Sequence, residues 1–325
     1  MKIHYRRKEN EIEIVRCFGN DPKVVLPDQI DGYPVTKVAA YTFSERKRVE
    51  EIDVLSWQSE ESFLENGQEP LLAGERVEEI VFPNAVREIG NYIFYGCKQL
   101  QRLEFSDSLL QIGSGAFTLC GKLRQLTVHL QKGEQSCVKE ILGEQWQRMD
   151  VIFWKEGQKI PLVFPEHYEE AVENTPARIL YTQHHGTGNN YRQCFYNREM
   201  DYRKYDDLFS LAIAQDKKSV LCELIFSRLE SGYELAKRNE EMYEVYVKEH
   251  VEEVAGYLVE QEKLDWLKLI SKRGLWKEEA MDAVIQKAAS EGHTEIAGFL
   301  MNEKQGLFPE KTESGREKRK KRFAL

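Results

Sequence analysis

Between residues 77 and 128 one pattern of apolar and polar positions is written twice. Val77-Glu78-Glu79-Ile80-Val81-Phe82-Pro83 runs on to Ile89-Gly90 and Phe94-Tyr95-Gly96-Cys97. Leu100-Gln101-Arg102-Leu103-Glu104-Phe105 runs on to Ile112-Gly113, Ala116-Phe117 and Cys120. Ile80 to Leu103, Phe82 to Phe105, Ile89 to Ile112, Phe94 to Phe117 and Cys97 to Cys120 are each 23 residues apart, and the spacing continues to Leu126 and Val128, then to Met149 and Val151. A constant period of this size predicts a solenoid, in which each coil buries its apolar edge against the next. Alternation within the strands turns Ile80, Phe82, Leu103, Phe105, Leu126 and Val128 inward. The residues between them stack outward in rows: Glu51, Glu79, Arg102, Gln125; Asp53, Val81, Glu104, Thr127; Glu50, Glu78, Gln101, Arg124. Acids lead these rows and bases follow. If the face binds a partner, the early coils should attract a basic one; a plain solvated face is the alternative.

The flanks extend the pattern less regularly. Residues 1–20 read as an edge cap, with Ile12–Val15 as a strand. In a first coil over 23–54, Val24-Val25-Leu26-Pro27 parallels Ile80–Pro83, Val38 and Phe43 stand 51 residues before Ile89 and Phe94, and Val49–Val54 repeats the strand pattern. Residues 55–76 interrupt the period, with Trp57, Phe63 and Leu64 as anchors; they form either a tolerated insertion or a ligand-contacting loop. The last coil, 123–153, replaces its corner by a helical stretch carrying Val138, Ile141, Leu142 and Trp146, and closes as a strand over 150–154.

The order Ile80-Val81-Phe82-Pro83, Ile-Gly, Ala-Phe, Gly-Cys, Leu-x-x-Leu resembles the leucine-rich repeat of bacterial BspA-like proteins. The likeness is strong over 77–128 and weaker over 24–54 and 123–153. It implies a right-handed stack with one short strand per coil and a role in protein binding, and it names no catalytic residues. Many BspA-like proteins are exported. Here the basic stretch Met1–Lys8 runs into Glu9, Asn10 and Glu11 rather than an apolar segment, so a cytoplasmic location is expected.

Residues 156–205 read as a connector. Ile160–Phe164 suits a strand and His167–Tyr181 a short helix broken at Pro176. His184-His185-Gly186-Thr187-Gly188 reads as a surface turn: it lacks the glycine and lysine of phosphate loops, and adjacent histidines cannot share a helix face as metal ligands. Arg192, Tyr196, Tyr202, Arg203 and Tyr205 interleave base and ring, which suits either packing between domains or stacking on nucleic acid. From 206 to 308 apolar residues recur at helical spacing, with Asp206 as an N-cap before Leu208 and Gly274 as a C-cap signal. Ala289-x-x-Gly292-His293-x-Glu295-Ile296 resembles an ankyrin repeat, with looser matches 30 and 76 residues upstream. Trp266 and Trp276 fit core or cap positions, and His293 fits the turn. Residues 309–325 form a basic tail expected to be disordered. Lys318, Arg319, Lys320, Lys321 and Arg322 are its candidate nucleic-acid contacts.

Charge and cysteine content narrow the chemistry. The formal net charge is −9 over 325 residues, with 41% hydrophobic and 31% charged side chains, which suits a folded chain long enough for two domains. Residues 316–325 carry +5, which leaves −14 on the rest. Six cysteines without a CxxC exclude a disulfide scaffold and a zinc finger. Cys97 and Cys120, one period apart, fit a ladder of small buried thiols; a disulfide there needs an oxidising compartment. No nucleophile–base pair, metal set or phosphate loop stands out, so the chain is read as non-catalytic, without cofactor or metal. The expected fold is an α+β repeat protein: a short leucine-rich solenoid over 1–155 followed by a stack of ankyrin-like helical hairpins. The expected function is protein–protein interaction through Glu51, Asp53, Glu79, Arg102, Glu104 and Arg124. Association with nucleic acid or ribonucleoprotein, through the tail and the Arg/Tyr stretch, is the alternative.

Overall fold

The computed structural model describes residues 1–46, 53–59, 69–174 and 179–309. The chain forms two compact units, Met1–Asn239 and a second that begins at Glu240.

The first unit opens with a hairpin, β1 (Lys2–Lys8) and β2 (Glu11–Phe18). The first coil contains β3 (Lys23–Val25), β4 (Gln29–Ile30) and β5 (Tyr33–Val38). β6 (Leu55–Gln58) returns to pair antiparallel with β1. The next coils are β7 (Glu79–Val81) with β8 (Glu88–Ile89), then β9 (Arg102–Ser106) with β10 (Gln111–Ile112). The stack ends with β11 (Gln125–Leu130), α1 (Val138–Gly143) and β12 (Met149–Lys155); β13 (Gln158–Phe164) folds back antiparallel on β12. Two sheets result, in the orders β3-β7-β9-β11-β12-β13 and β6-β1-β2-β5-β8-β10.

The 23-residue period is the register of the first of these sheets. Val24 pairs with Ile80, Ile80 with Leu103, Leu103 with Leu126 and Leu126 with Val151, all in parallel. Each of these side chains is at most 1% exposed, and Phe82, Phe105 and Val128 are buried beside them. On the opposite wall Phe43, Phe94 and Phe117 stack at successive centroid distances of 5.5 Å. β3 pairs directly with β7. Most of the expected strand Val49–Val54 lies outside the described residues, and Asp53 stands in a turn with φ 56°. Alternation of side chains identifies a strand but not its neighbour, which here is set by the match of Val24 and Val25 to Ile80 and Val81.

The repeated Ile-Gly has a steric cause. A Cβ on Gly90 would lie 2.2 Å from the Ala40 nitrogen of the coil before, and one on Gly113 would lie 2.2 Å from the Asn91 nitrogen. Backbone touches backbone at these corners, so no side chain fits.

Beyond β13 the connector is more folded than its sequence suggests. The expected helix over His167–Tyr181 is instead a hairpin, β14 (Tyr168–Asn174) and β15 (Ile179–His185), with Tyr168 opposite His185. α2 (Gly188–Arg192), β16 (Phe195–Tyr196) and β17 (Glu199–Met200) follow. α3 (Tyr202–Asp207) is capped by Asp201, which accepts from Lys204 N at 2.9 Å. Asp206, the expected cap, is buried in an ion pair with Arg228 at 2.7 Å. α4 (Phe209–Gln215) and α5 (Lys218–Ser231) complete this unit, with α5 packed on β13. Trp146, expected on the same apolar face as α1, lies beyond that helix and is 62% exposed.

α6 (Lys237–Glu249) leads into the second unit, which contains α7 (Val251–Glu260), α8 (Leu264–Lys272), α9 (Glu278–Ser290) and α10 (Thr294–Leu307). Here a 30-residue spacing is visible in buried positions: Val251 and Met281, Val254 and Val284, Leu258 and Ala288, Leu267 and Ala297, Ile270 and Leu300. The turns match too. Lys263 N donates to Leu258 O at 2.8 Å and His293 N to Ala288 O at 2.9 Å, with left-handed Glu262 (φ 53°) and Gly292 (φ 81°) at equivalent places. Trp276 is buried and donates from Nε1 to Ser271 Oγ at 2.8 Å.

Gly90→Ala and Gly113→Ala should each lower stability by about 2–4 kcal/mol, because the clash is with backbone rather than a movable side chain. Gly121→Ala, whose Cβ would meet nothing within 4 Å, should change it by less than about 1 kcal/mol. Urea midpoints of the three variants check this.

Candidate functional site

The outward face of the β3–β13 sheet was the expected interaction surface, and the structure places its members unequally. Glu79, Arg102 and Glu104 lie on adjacent strands in the expected rows, with Glu79 opposite Arg102. Arg124 precedes β11, where its backbone nitrogen bonds to Gln101 O at 3.0 Å. Glu51 lies outside the described residues, and Asp53 is exposed in its turn away from the ladder. Because β3 borders β7, Lys23 leads the first row. The row therefore reads Lys23, Glu79, Arg102, Gln125, Asp150, with alternating signs rather than acids followed by bases.

Neighbouring coils neutralise one another. Glu79 accepts Lys23 Nζ at 3.5 Å and Arg102 at 2.5 Å, and Glu104 meets His129 Nε2 at 2.8 Å. Arg124 bends back to the carbonyls of Gly121 and Leu123 at 3.0 and 2.9 Å. The Arg102 side chain is 57% exposed, so its pair contributes only about 0–1 kcal/mol. Such pairs chiefly fix side-chain direction.

The other candidate groups are structural. Cys97 Sγ donates to Phe43 O at 3.2 Å and Cys120 Sγ to Phe94 O at 3.3 Å, so each thiol ties its coil to the one before. All six cysteines are buried and none forms a disulfide. Burial pushes the Cys97 thiol up to about 12 and the Cys120 thiol higher still. The turn after His185 is not on the surface: Thr187 is 0% exposed and hydrogen-bonds through N and Oγ1 to the Asp216 carboxylate. Arg192, for which both packing between domains and stacking on nucleic acid were open, is 3% exposed. Its guanidinium donates to the carbonyls of Leu142, Gln145, Gln147, Pro165 and Gly188 at 2.6–3.2 Å. Burial pulls it down to about 10, so it remains charged at neutral pH. Tyr202 and Tyr205 are also buried, and Tyr205 both donates to and accepts from the backbone of Val163. Tyr196 and Arg203 alone of that stretch are exposed. The tail residues Lys318 to Arg322 lie outside the described ones. Among the described residues no three His, Cys, Asp or Glu side chains converge as metal ligands, and no helix is long and apolar enough to cross a membrane.

Sequence reading missed a cluster on the coil edge. Tyr41 and Tyr92 stack at 5.4 Å, Tyr95 meets Tyr92 edge-on at 6.1 Å, and Arg46 covers Tyr95 at 4.6 Å. The 51-residue spacing of Tyr41 and Tyr92, equal to that of Phe43 and Phe94, was the available signal.

Residues 70–141 match the model of the BspA type leucine-rich repeat region (6 copies). This stretch holds β7 to β11, the most regular coils. Among solved structures the chain is similar to a leucine-rich cell surface protein of Faecalibacterium prausnitzii A2-165, at 20% identity and a TM-score of 0.27, over 41% of this chain and 36% of that one. It is also similar to a leucine-rich repeat protein of T. pallidum, at 25% identity and a TM-score of 0.21, over 38% of this chain and 67% of that one. The chain thus spans about a third of the length of the first. No curated protein matches it.

A thiol held near 12 is about one part in ten thousand thiolate at pH 8, so Cys97 and Cys120 should stay unlabelled by iodoacetamide in the native protein and react on unfolding. Peptide mapping by mass spectrometry reads this out. Arg192→Gln should cost roughly 3 kcal/mol of stability, because five carbonyls lose a charged donor. The same variant should leave any nucleic-acid retention unchanged, which denaturant melts and a filter-binding assay distinguish.

Proposed function

We propose that the chain is a non-catalytic protein-interaction module that works by rigid display. The observation that carries this reading is the in-register ladder from Val24 to Val151, which presents Lys23, Glu79, Arg102, Glu104 and Arg124 on successive coils at fixed spacing. Cross-coil pairs hold Lys23, Glu79, Arg102 and Glu104 in place before a partner arrives, which lowers the ordering cost of binding. The match of residues 70–141 to a leucine-rich repeat region supports the same reading. In the second unit, the 30-residue spacing of buried positions and turns supports two ankyrin-like hairpins, α7–α8 and α9–α10, as a further repeat surface. Six buried thiols outside any disulfide fit a reducing, cytoplasmic setting. The nucleic-acid alternative loses Arg192, Tyr202 and Tyr205 to burial and keeps Tyr196, Arg203 and the tail.

The test uses the tagged full chain with a photo-cross-linking residue at Gln125. A protein partner cross-linked from native extract should be lost at least tenfold with Arg102→Glu and Arg124→Glu together, with the melting curve unchanged. Retention of the partner by that double variant rules the strand face out, and capture that depends on residues 310–325 and falls with salt favours nucleic acid.

A further inference from the structure

A second surface lies at the corner where each coil passes from one sheet to the other. A groove of about 680 Å³ crosses it, lined by Thr36 of the first coil, Arg87 of the second, Asp107 and Leu110 of the third and Lys132 of the fourth, with Glu199 at its end. Steps of about 4.8 Å per coil make this path about 15 Å long, enough for four or five extended residues. Arg198 fixes the end wall by donating to Leu110 O at 3.0 Å and pairing with Glu140 at 2.7 Å.

The charges of the groove are not balanced. Arg87 is held by both oxygens of Glu11 at 2.6 and 2.5 Å, and that bond holds the Glu11 carboxyl below its usual range. Lys132 Nζ rests on Ser108 Oγ at 3.0 Å. Among the described residues Glu199 has no cationic partner. Asp107 is 6% exposed, and its two oxygens differ. Oδ2 accepts from the backbone nitrogens of Gln131, Lys132 and Gly133 at 2.9, 2.5 and 2.9 Å. Oδ1 accepts no hydrogen bond. A buried carboxylate oxygen without a donor is destabilising, and a charged donor relieves it best. Three amides staple Oδ2 to the next coil, so the side chain cannot rotate to find a partner elsewhere.

We propose that this corner groove binds an extended peptide segment of a partner protein and seats one arginine of it on Asp107 Oδ1 and Glu199. A guanidinium carries five donors in a planar fork and can serve both carboxylates at once. The peptide backbone lies across the coils between Thr36 and Glu199. Lys132, bonded to Ser108 Oγ in the same groove, is a like charge that opposes the entering arginine. The inference goes beyond the strand-face reading and concerns a different surface.

The test measures binding of the full chain to a fluorescent pool of capped hexapeptides, with arginine fixed at the third position and uncharged residues elsewhere. A citrulline pool and free agmatine serve as controls. The arginine pool should bind at least tenfold more tightly than the citrulline pool and more tightly than agmatine. Asp107→Asn keeps an oxygen for the three amides and puts an amide nitrogen at Oδ1, so it should weaken binding at least tenfold. Glu199→Gln should weaken it severalfold, and Lys132→Ala should strengthen it. If Asp107→Asn fails to fold, the Glu199 and Lys132 variants decide. Equal binding of arginine and citrulline pools, agmatine matching the peptides, indifference to Glu199→Gln and Lys132→Ala, or no binding at all overturns the proposal. None of these results affects cross-linking at the strand face, so the two readings fail separately.

Discussion

Backbone meets backbone at the corners of the coils, where Gly90 lies against Ala39 and Ala40 and Gly113 lies against Gly90 and Asn91. That contact sets the distance between coils. Once it is set, strands on both sides fall within hydrogen-bonding reach, from Lys37 opposite Glu88 on one wall to Lys23 opposite Glu79 on the other. The phenylalanine ladder and the thiol-to-carbonyl bonds then fill an interior of fixed width. Stability in such a stack is a sum over neighbouring coils rather than the property of one core. This explains why β3 closes directly onto β7 past an intervening insertion: the interface between coils must be continuous, while the chain that links them need not be short.

The same geometry governs the charges. Residues one period apart meet side by side, so like charges there repel and opposite charges pair. Lys23–Glu79–Arg102 and Glu104–His129 follow this rule on one wall, and Lys37–Glu88 follows it on the other. An overall charge of −9 therefore does not appear as an acidic strand face. The imbalance is local. It remains at the corner groove, where Asp107 and Glu199 outnumber the cations left to them, because corners carry side chains of unequal length and lack strict cross-strand pairing.

Periodic structure was legible in the sequence and aperiodic structure was not. The inward positions Ile80, Leu103 and Leu126, the Ile-Gly corners and the first coil at Val24, Val38 and Phe43 follow from spacing alone. The departures fall where long-range contacts decide. By type Arg192 suits either packing or nucleic-acid stacking, and the five carbonyls from separated segments that enclose it are not visible in the sequence. Asp206 has the form of an N-cap, yet Arg228, 22 residues later, claims it, and the helix that follows starts after Leu208 without a side-chain cap. The segment from Tyr168 to His185 has too few apolar residues for periodicity to distinguish helix from hairpin. The candidate site divides likewise: the rows holding Glu79, Arg102 and Glu104 were readable, and their ion pairs were not.

The two surfaces of the first unit differ in what they ask of a ligand. On the strand face each charge already has a partner, so a protein docking there exchanges one set of contacts for another; selectivity comes from matching the spacing of the coils, with a modest gain per contact. At the corner the carboxylate of Asp107 is fixed by the amides of residues 131–133 and left with one free acceptor, so a single cation brings a gain that no contact inside the protein supplies. A broad paired face with a narrow unpaired notch beside it suits recognition in two parts: the face sets the register, and the notch tests for one side chain. Because both are built on the same coil spacing, a change at Gly90 or Gly113 that alters that spacing would disturb them together.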